Sequence, residues 1–193
     1  MPGPKIKLCI IAPAGSGKST VARLISERAQ ERGLSCAVIK LAEPLYDIQA
    51  KFYDTARVSI GRYQQNHRLL ESIADHLRSI DKWSIANHFK ERYLASEADV
   101  VINDDLRDSD IDWPVLQELG FSVLYVEASE IIRHTRLQGR GDLEVSATSK
   151  LDAIIKRIPV NFTIDNSSES LEELMETVDE LFDTYLSAYE YLS

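Results

Sequence analysis

The chain has 193 residues, 44% hydrophobic and 27% charged, enough for one sizeable core and too few for two independent domains of ordinary size. Its net charge of −9 is local: nine of the 31 acidic residues fall from Asp165 onward, where no Lys or Arg occurs, so 22 acids remain to balance the 22 basic residues. That distribution excludes a basic block of the kind that tracks nucleic acid, and it suits a solvated acidic helix face better than a partner-binding tail.

The apolar runs are too short to span a membrane, and no charged-then-apolar leader opens the chain, so a soluble cytoplasmic protein is expected, in the host cytoplasm if the chain is viral. Cys9 and Cys36 each sit inside an apolar run and read as buried, inert thiols. His67, His76, His88 and His134 lack zinc-like spacing, so no structural metal is expected.

In chain order, "KIKLCIIA" (5–12) is a short Ile-rich run bounded by turn signals and predicts a strand buried on both faces. A glycine loop follows, and "KSTVARLISERAQERG" then places Val21, Leu24 and Ile25 at helical spacing before a stop at Gly33. "SCAVIKLA" (35–42) reads as a second buried strand, completing a βαβ unit. From Glu43 to about Ser96 the pattern is helical, with "HRLLESIADHLRSI" putting Leu69, Leu70, Ile73, Leu77 and Ile80 on one side. That is too much helix for a simple crossover and predicts an inserted lobe over about 43–97.

"DVVINDD" (99–105) restores the strand pattern, "VLQELG" closes a short helix at Gly120, and "SVLYVEA" (122–128) is the next strand. "SEIIRHTRLQGRGD" breaks the apolar rhythm with arginines and glycines. "VNFTIDN" (160–166) gives a fifth strand, and a last helix carries Leu171, Leu174, Met175, Val178, Leu181, Phe182, Tyr185 and Tyr189 as one stripe. The stripe is expected to pack on the sheet, though it could also support a homodimer. The alternation predicts one α/β domain over 1–193, in three layers around a five-stranded parallel sheet.

The chemistry concentrates in "IIAPAGSGKST" (10–20). Glycines between a buried strand and a helix let successive backbone N–H groups point at phosphate oxygens. Ala14, Gly15, Ser16, Gly17, Lys18, Ser19 and Thr20 are therefore expected to cradle the phosphates of ATP. Lys18 would reach the β and γ phosphates, and the Ser19 hydroxyl would ligate the Mg2+ ion that bridges them. Ala12 stands where the usual pattern has its first glycine.

A guanine-reading Asn-Lys-x-Asp is missing, and a mechanical ATPase of this superfamily usually needs more chain. A short P-loop domain with a helical insertion and a late arginine cluster points instead to a small-molecule kinase. Arg133, Arg136 and Arg140 would form a mobile lid over about 129–147, with Gly139 and Gly141 as hinges. After the third strand, Asp104 or Asp105 could hold Mg2+ through water, and Arg107 could clamp an acceptor phosphate. Phe52, Tyr53, Tyr63 and Trp83 in the helical lobe are candidates for stacking or for the core alike.

Several segments together resemble the phage-type deoxynucleoside monophosphate kinases, a branch of the P-loop nucleotide kinases. They are "GSGKST", "LAEPLYD", "HRLLESIADHLRSIDKW", "VVINDDLRDSD", "TRLQGRGD" and "FTIDNSSESLEEL", in the family's order. The resemblance implies that Arg68 and Arg78 face the acceptor nucleotide, that Asp105 and Arg107 stand beside the transferred group, and that Arg136 and Arg140 belong to the lid. It also implies that Asn166 and Ser167 lie near the adenine of ATP. Glu71 and Ala74 replace the Gln and Gly that family tends to carry, and a glutamate expected near Lys150 is missing.

"LAEPLYD" is also similar to the deoxynucleoside kinases, where a glutamate of a Glu-Pro pair takes a proton from a 5′-hydroxyl; Glu43 and Pro44 stand at that point. Glu43 is accordingly expected in the substrate pocket together with Arg68, Arg78, Asp104 and Arg107. Transfer to a (deoxy)nucleoside 5′-monophosphate is the leading expectation. A nucleoside or dephospho-coenzyme A acceptor, and a non-catalytic nucleotide switch, are the alternatives.

Overall fold

The computed structural model describes residues 6–106, 108–140, 157–168 and 170–190, with backbone alone at 139–140 and 188–190. Its elements are β1 (Ile6–Ile11), α1 (Lys18–Glu31), β2 (Cys36–Val38), α2 (Glu43–Thr55), α3 (His67–Ile80), α4 (Ser84–Ala95), β3 (Val100–Asn103), α5 (Asp112–Glu118), β4 (Ser122–Glu127), α6 (Glu130–Arg140), β5 (Phe162–Asp165) and α7 (Leu171–Glu190). The strands form one sheet in the order β2-β3-β1-β4-β5, and every pair is parallel.

Alternation along the strands feeds two cores, because successive side chains leave a sheet on opposite faces. Cys9, Ile11, Val101 and Val123 face one side and meet Leu45, Tyr46, Leu70, Ile73, Ile85, Phe89 and Leu116 from α2 to α5. Leu8, Ile10, Ile102, Leu124 and Val126 face the other and meet Val21, Leu24 and Ile25 of α1 and Leu174, Val178 and Phe182 of α7. Both faces of the sheet are covered, so the chain is a three-layer α/β domain of the expected kind.

Two expectations need correction. β2 is three residues long at the sheet edge, with Val38 44% exposed, rather than a buried strand over 35–42. Ile39 and Leu41 are buried beyond the strand, because the chain turns there and gives the N–H groups of Leu41 and Ala42 to the Asp105 carboxylate. Ile80 is 84% exposed: it is the last residue of α3 and projects past the core that Leu70 and Ile73 reach.

The acidic helix α7 is partly neutralised inside the fold. Arg28 Nε lies 2.5 Å from Asp179, and Arg32 lies 2.5 Å from Asp183 and over the ring of Phe182. Among the candidate aromatics, Phe52, Tyr63 and Trp83 are exposed, whereas the half-buried Tyr53 accepts a hydrogen bond from Asn66, the N-cap of α3. No helix among the described residues is long and apolar enough to cross a membrane.

Candidate active site

The phosphate loop is built where β1 hands over to α1. Gly17 takes φ 90° as the N-cap; no side chain caps the helix, and no acidic residue stands in its first turn. The helix therefore presents the positive end of its dipole to the loop, with no carboxylate in its first turn to offset it. Ser16 is buried, its N–H reaches the Pro13 carbonyl at 3.2 Å, and its hydroxyl has no hydrogen-bond partner among the described residues.

Glycine is required at two points for more than the turn itself. Gly15 has φ +82°, and a Cβ there would lie 2.7 Å from the backbone oxygen of Arg133. A Cβ on Gly17 would collide with the Asn166 amide. The loop is clamped from outside by the same two neighbours. Arg133 Nε donates to the Ala14 carbonyl at 2.9 Å, and Asn166 Nδ2 donates to the Ser16 carbonyl at 2.8 Å. Arg136 in turn donates to the carbonyls of Asn166 and Ser168, both at 3.1 Å.

Gly17, Thr20, Arg136, Asn166, Ser168 and Leu174 line a cavity of about 280 Å³ beside the loop. Ser167 instead closes the turn after β5: its hydroxyl donates to Asp165 at 2.5 Å and accepts from the Ser129 N–H at 2.9 Å.

Asp104 and Asp105 follow β3, and the structure gives them different surroundings. The Asp104 carbonyl accepts from Lys18 Nζ, and its carboxylate lies 2.5 Å from Lys40 Nζ. With Ser19, Asp104 also lines a cavity of about 450 Å³. Asp105 is committed elsewhere. One oxygen accepts from Leu41 N and Asn103 Nδ2, both at 2.8 Å, and the other accepts from Ala42 N at 2.9 Å. Beneath them Cys9 is fully buried, and burial pushes its thiol up, far from thiolate chemistry.

A family model for an AAA domain matches residues 8–157, most of the chain. The chain belongs to the AAA domain family. No curated protein sequence matches this AAA domain. Solved structures similar to it include TT1252 from Thermus thermophilus, at 18% identity over 93% of this chain and 97% of that one, TM-score 0.55. Shikimate kinase from Acinetobacter baumannii matches at 14% identity over 95% and 94%, TM-score 0.52. A gluconokinase from Sinorhizobium meliloti 1021 matches at 18% identity over 96% and 97%, TM-score 0.50. The fold is that of the P-loop kinases.

The remaining predicted residues of the AAA domain divide into those brought near the loop and those held away. Glu43 opens α2, with its carboxylate paired to Arg62 and 4.0 Å from Arg92. Arg78 on α3 does not reach Glu43: its Nη2 donates to both oxygens of Asp112 on α5, at 3.0 and 3.2 Å. Arg68 is exposed on α3. Arg107, the side chain of Arg140, and the lid beyond it lie outside the described residues.

The segment read as a mobile lid is helical from Glu130 to Arg140. Its Arg133 and Arg136 reach carbonyls of the phosphate loop and of the turn after β5 rather than a free space above them. Sequence reasoning missed Lys40, Arg62, Arg92 and Asn103. Lys40 and Asn103 carried a signal, being polar residues within or at the end of apolar runs; Arg62 and Arg92 carried none beyond charge.

Proposed function

We propose that this AAA domain is an ATP-dependent kinase that transfers the γ-phosphoryl group to a small acceptor, a (deoxy)nucleoside 5′-monophosphate. The observation that carries the reading is Asp104. Its carbonyl takes the phosphate-loop lysine, and its carboxylate takes Lys40, at the entry to the helical lobe α2–α4. A hydrolase needs only a water beside the γ phosphate, whereas a transferase needs a second binding surface within reach of the same lysine. The lobe supplies such a surface. By their names, shikimate kinase and gluconokinase of similar fold are small-molecule kinases; the choice of a nucleotide acceptor rests on the sequence segments shared with the phage-type family.

The residues fit the groups this reaction needs. The two left-handed glycines and the buried Ser16 hydroxyl suit a triphosphate, with Ala14 to Thr20 on its oxygens and Lys18 at the β and γ positions. Thr20, Arg136 and Asn166 border the cavity that would take the base, and Ser167 holds the adjoining turn after β5 through Asp165 and Ser129. Ser19 and Asp104 line one cavity with a hydroxyl and a carboxylate, the small set of hard oxygens that Mg2+ takes alongside phosphates. Magnesium supplies neutralisation of the charge on the β and γ phosphates. Asp105, with both oxygens on the 41–42 turn, is assigned to positioning, since it holds Lys40 and Glu43 at the mouth of the site.

The test is ADP formation on a panel of deoxy- and ribonucleoside monophosphates, free nucleosides, dephospho-coenzyme A, shikimate and gluconate. Acceptor-dependent ADP formation with a monophosphate is the expected result. Turnover confined to a non-nucleotide or to free nucleosides overturns the acceptor assignment, and acceptor-independent hydrolysis alone overturns the kinase.

A further inference from the structure

Two guanidinium groups from the helical lobe meet at the Glu43 carboxylate, and a lysine that pairs with Asp104 stands at the entry to the lobe. Lys40 ends the turn after β2, Arg62 comes from the α2–α3 connection, and Arg92 comes from α4. Arg62 pairs with Glu43 through Nη2 and with Asp47 at 2.6 Å through Nη1. Arg92 is aimed by a 3.0 Å hydrogen bond from Nη1 to the Lys40 carbonyl, which leaves its Nη2 4.0 Å from Glu43. That separation exceeds hydrogen-bond length, so the second fork of Arg92 is underused by the carboxylate it faces. Lys40 bridges from here to Asp104 and hence to Lys18.

A guanidinium fork matches phosphate geometry as well as it matches a carboxylate, and a phosphate offers three oxygens where Glu43 offers two. Beside the cluster stands Tyr63, 53% exposed and held edge-on by Tyr46 at 5.4 Å. Its ring lies 5.8 Å from Lys40 Nζ and 5.9 Å from Arg62 Cζ. A flat apolar platform next to a convergent set of cations is the surface that a planar ring carrying a phosphate requires.

We infer that Arg62, Arg92 and Lys40 seat the acceptor's phosphate, that Glu43 is the internal carboxylate this phosphate displaces, and that Tyr63 stacks the acceptor's ring. The inference rests on the kinase reading above and relocates its acceptor pocket from Arg68 and Arg78 to this cluster. Lys40 is then the group that passes from Asp104 to the phosphates as the two substrates meet.

The experiment saturates the full chain with Mg2+ and a non-hydrolysable ATP analogue, so that the phosphate loop is filled, and titrates inorganic phosphate or a deoxynucleoside monophosphate by calorimetry. Arg62→Met/Arg92→Met is expected to raise the half-saturating phosphate concentration at least ten-fold while retaining its circular dichroism spectrum. Glu43→Gln should lower it several-fold, since it removes the competing charge. Tyr63→Ala should weaken the monophosphate and leave inorganic phosphate unchanged.

Should the double variant fail to fold, the opposite-signed effect of Glu43→Gln decides. Unchanged phosphate binding in a folded double variant, weaker binding in Glu43→Gln, or no phosphate binding by the parent chain each overturns the seat. Weakened phosphate binding in the arginine variants without turnover of any monophosphate would leave the seat standing and bring down the acceptor reading instead.

Discussion

Replacing Arg78 by Met separates a structural arginine from an acceptor-binding one. Its partner Asp112 is 1% exposed. Burial pushes the Asp112 carboxyl up from 3.8 to about 6, with Arg78 pulling it down and Asp108 and Asp105 adding to the rise. A folded carboxyl that holds its proton more tightly than an unfolded one is destabilised when ionised, here by about 3 kcal/mol above pH 6, and the cost is relieved as pH falls through 6 toward 4.

Removing the guanidinium leaves that charge buried and unpaired, at a loss of about 3–5 kcal/mol. For a chain of this length the melting temperature should fall on the order of 10 °C. Without Arg78 the carboxyl rises further, so the deficit relative to the parent chain is largest at pH 8 and shrinks at pH 5. Thermal unfolding followed by circular dichroism at both pH values checks this. Melting equal to the parent at pH 8, or the same deficit at both, refutes the reasoning; a raised acceptor KM with unchanged melting would return Arg78 to the acceptor pocket.

Lys18→Ala should leave melting within a few degrees of the parent and reduce kcat by roughly two to three orders of magnitude, since the lysine acts on phosphate charge at the reacting centre; a steady-state ADP assay reads it directly. Asp105→Ala strips acceptors from the N–H groups of Leu41 and Ala42 and from Asn103. It should cost about 1–3 kcal/mol for each donor left buried without a partner, seen as a lower urea midpoint. Phe182→Ala removes a ring that is 1% exposed between α1 and α7 and should cost about 3–5 kcal/mol; denaturant titration measures it, and a loss below 1 kcal/mol would deny that α7 is part of the core.

The strands were legible because each is a short apolar run between turn signals, and 5–12 came out as Ile6–Ile11. β2 was overread because Ile39 and Leu41 are as apolar as a strand requires; nothing local reveals that the next two N–H groups belong to a carboxylate 63 and 64 residues away. The phosphate loop was legible for the opposite reason, since its parts lie within a few residues of one another. Arg62, Glu43 and Arg92 become neighbours only through the packing of α2, α3 and α4, and exposed arginines are too common for their charge to be a signal. Gly139 reads as a loop residue in the sequence, whereas in the fold it lies near the end of α6 (Glu130–Arg140), where one glycine lowers helix propensity without excluding a helix.

The fastening of the phosphate loop has a consequence for the chain as it is made. Ser16 is held by Asn166 across 150 residues, and the far end of α1 is held by α7, with Arg32 and Asp183 separated by 151. Contacts of such sequence separation form only after most of a chain is available. A nascent or truncated chain ending before Asn166 can already contain every residue of "GSGKST" and still lack the clamp that shapes it. The clamp on the loop is therefore among the last contacts of the domain to form as the chain is made.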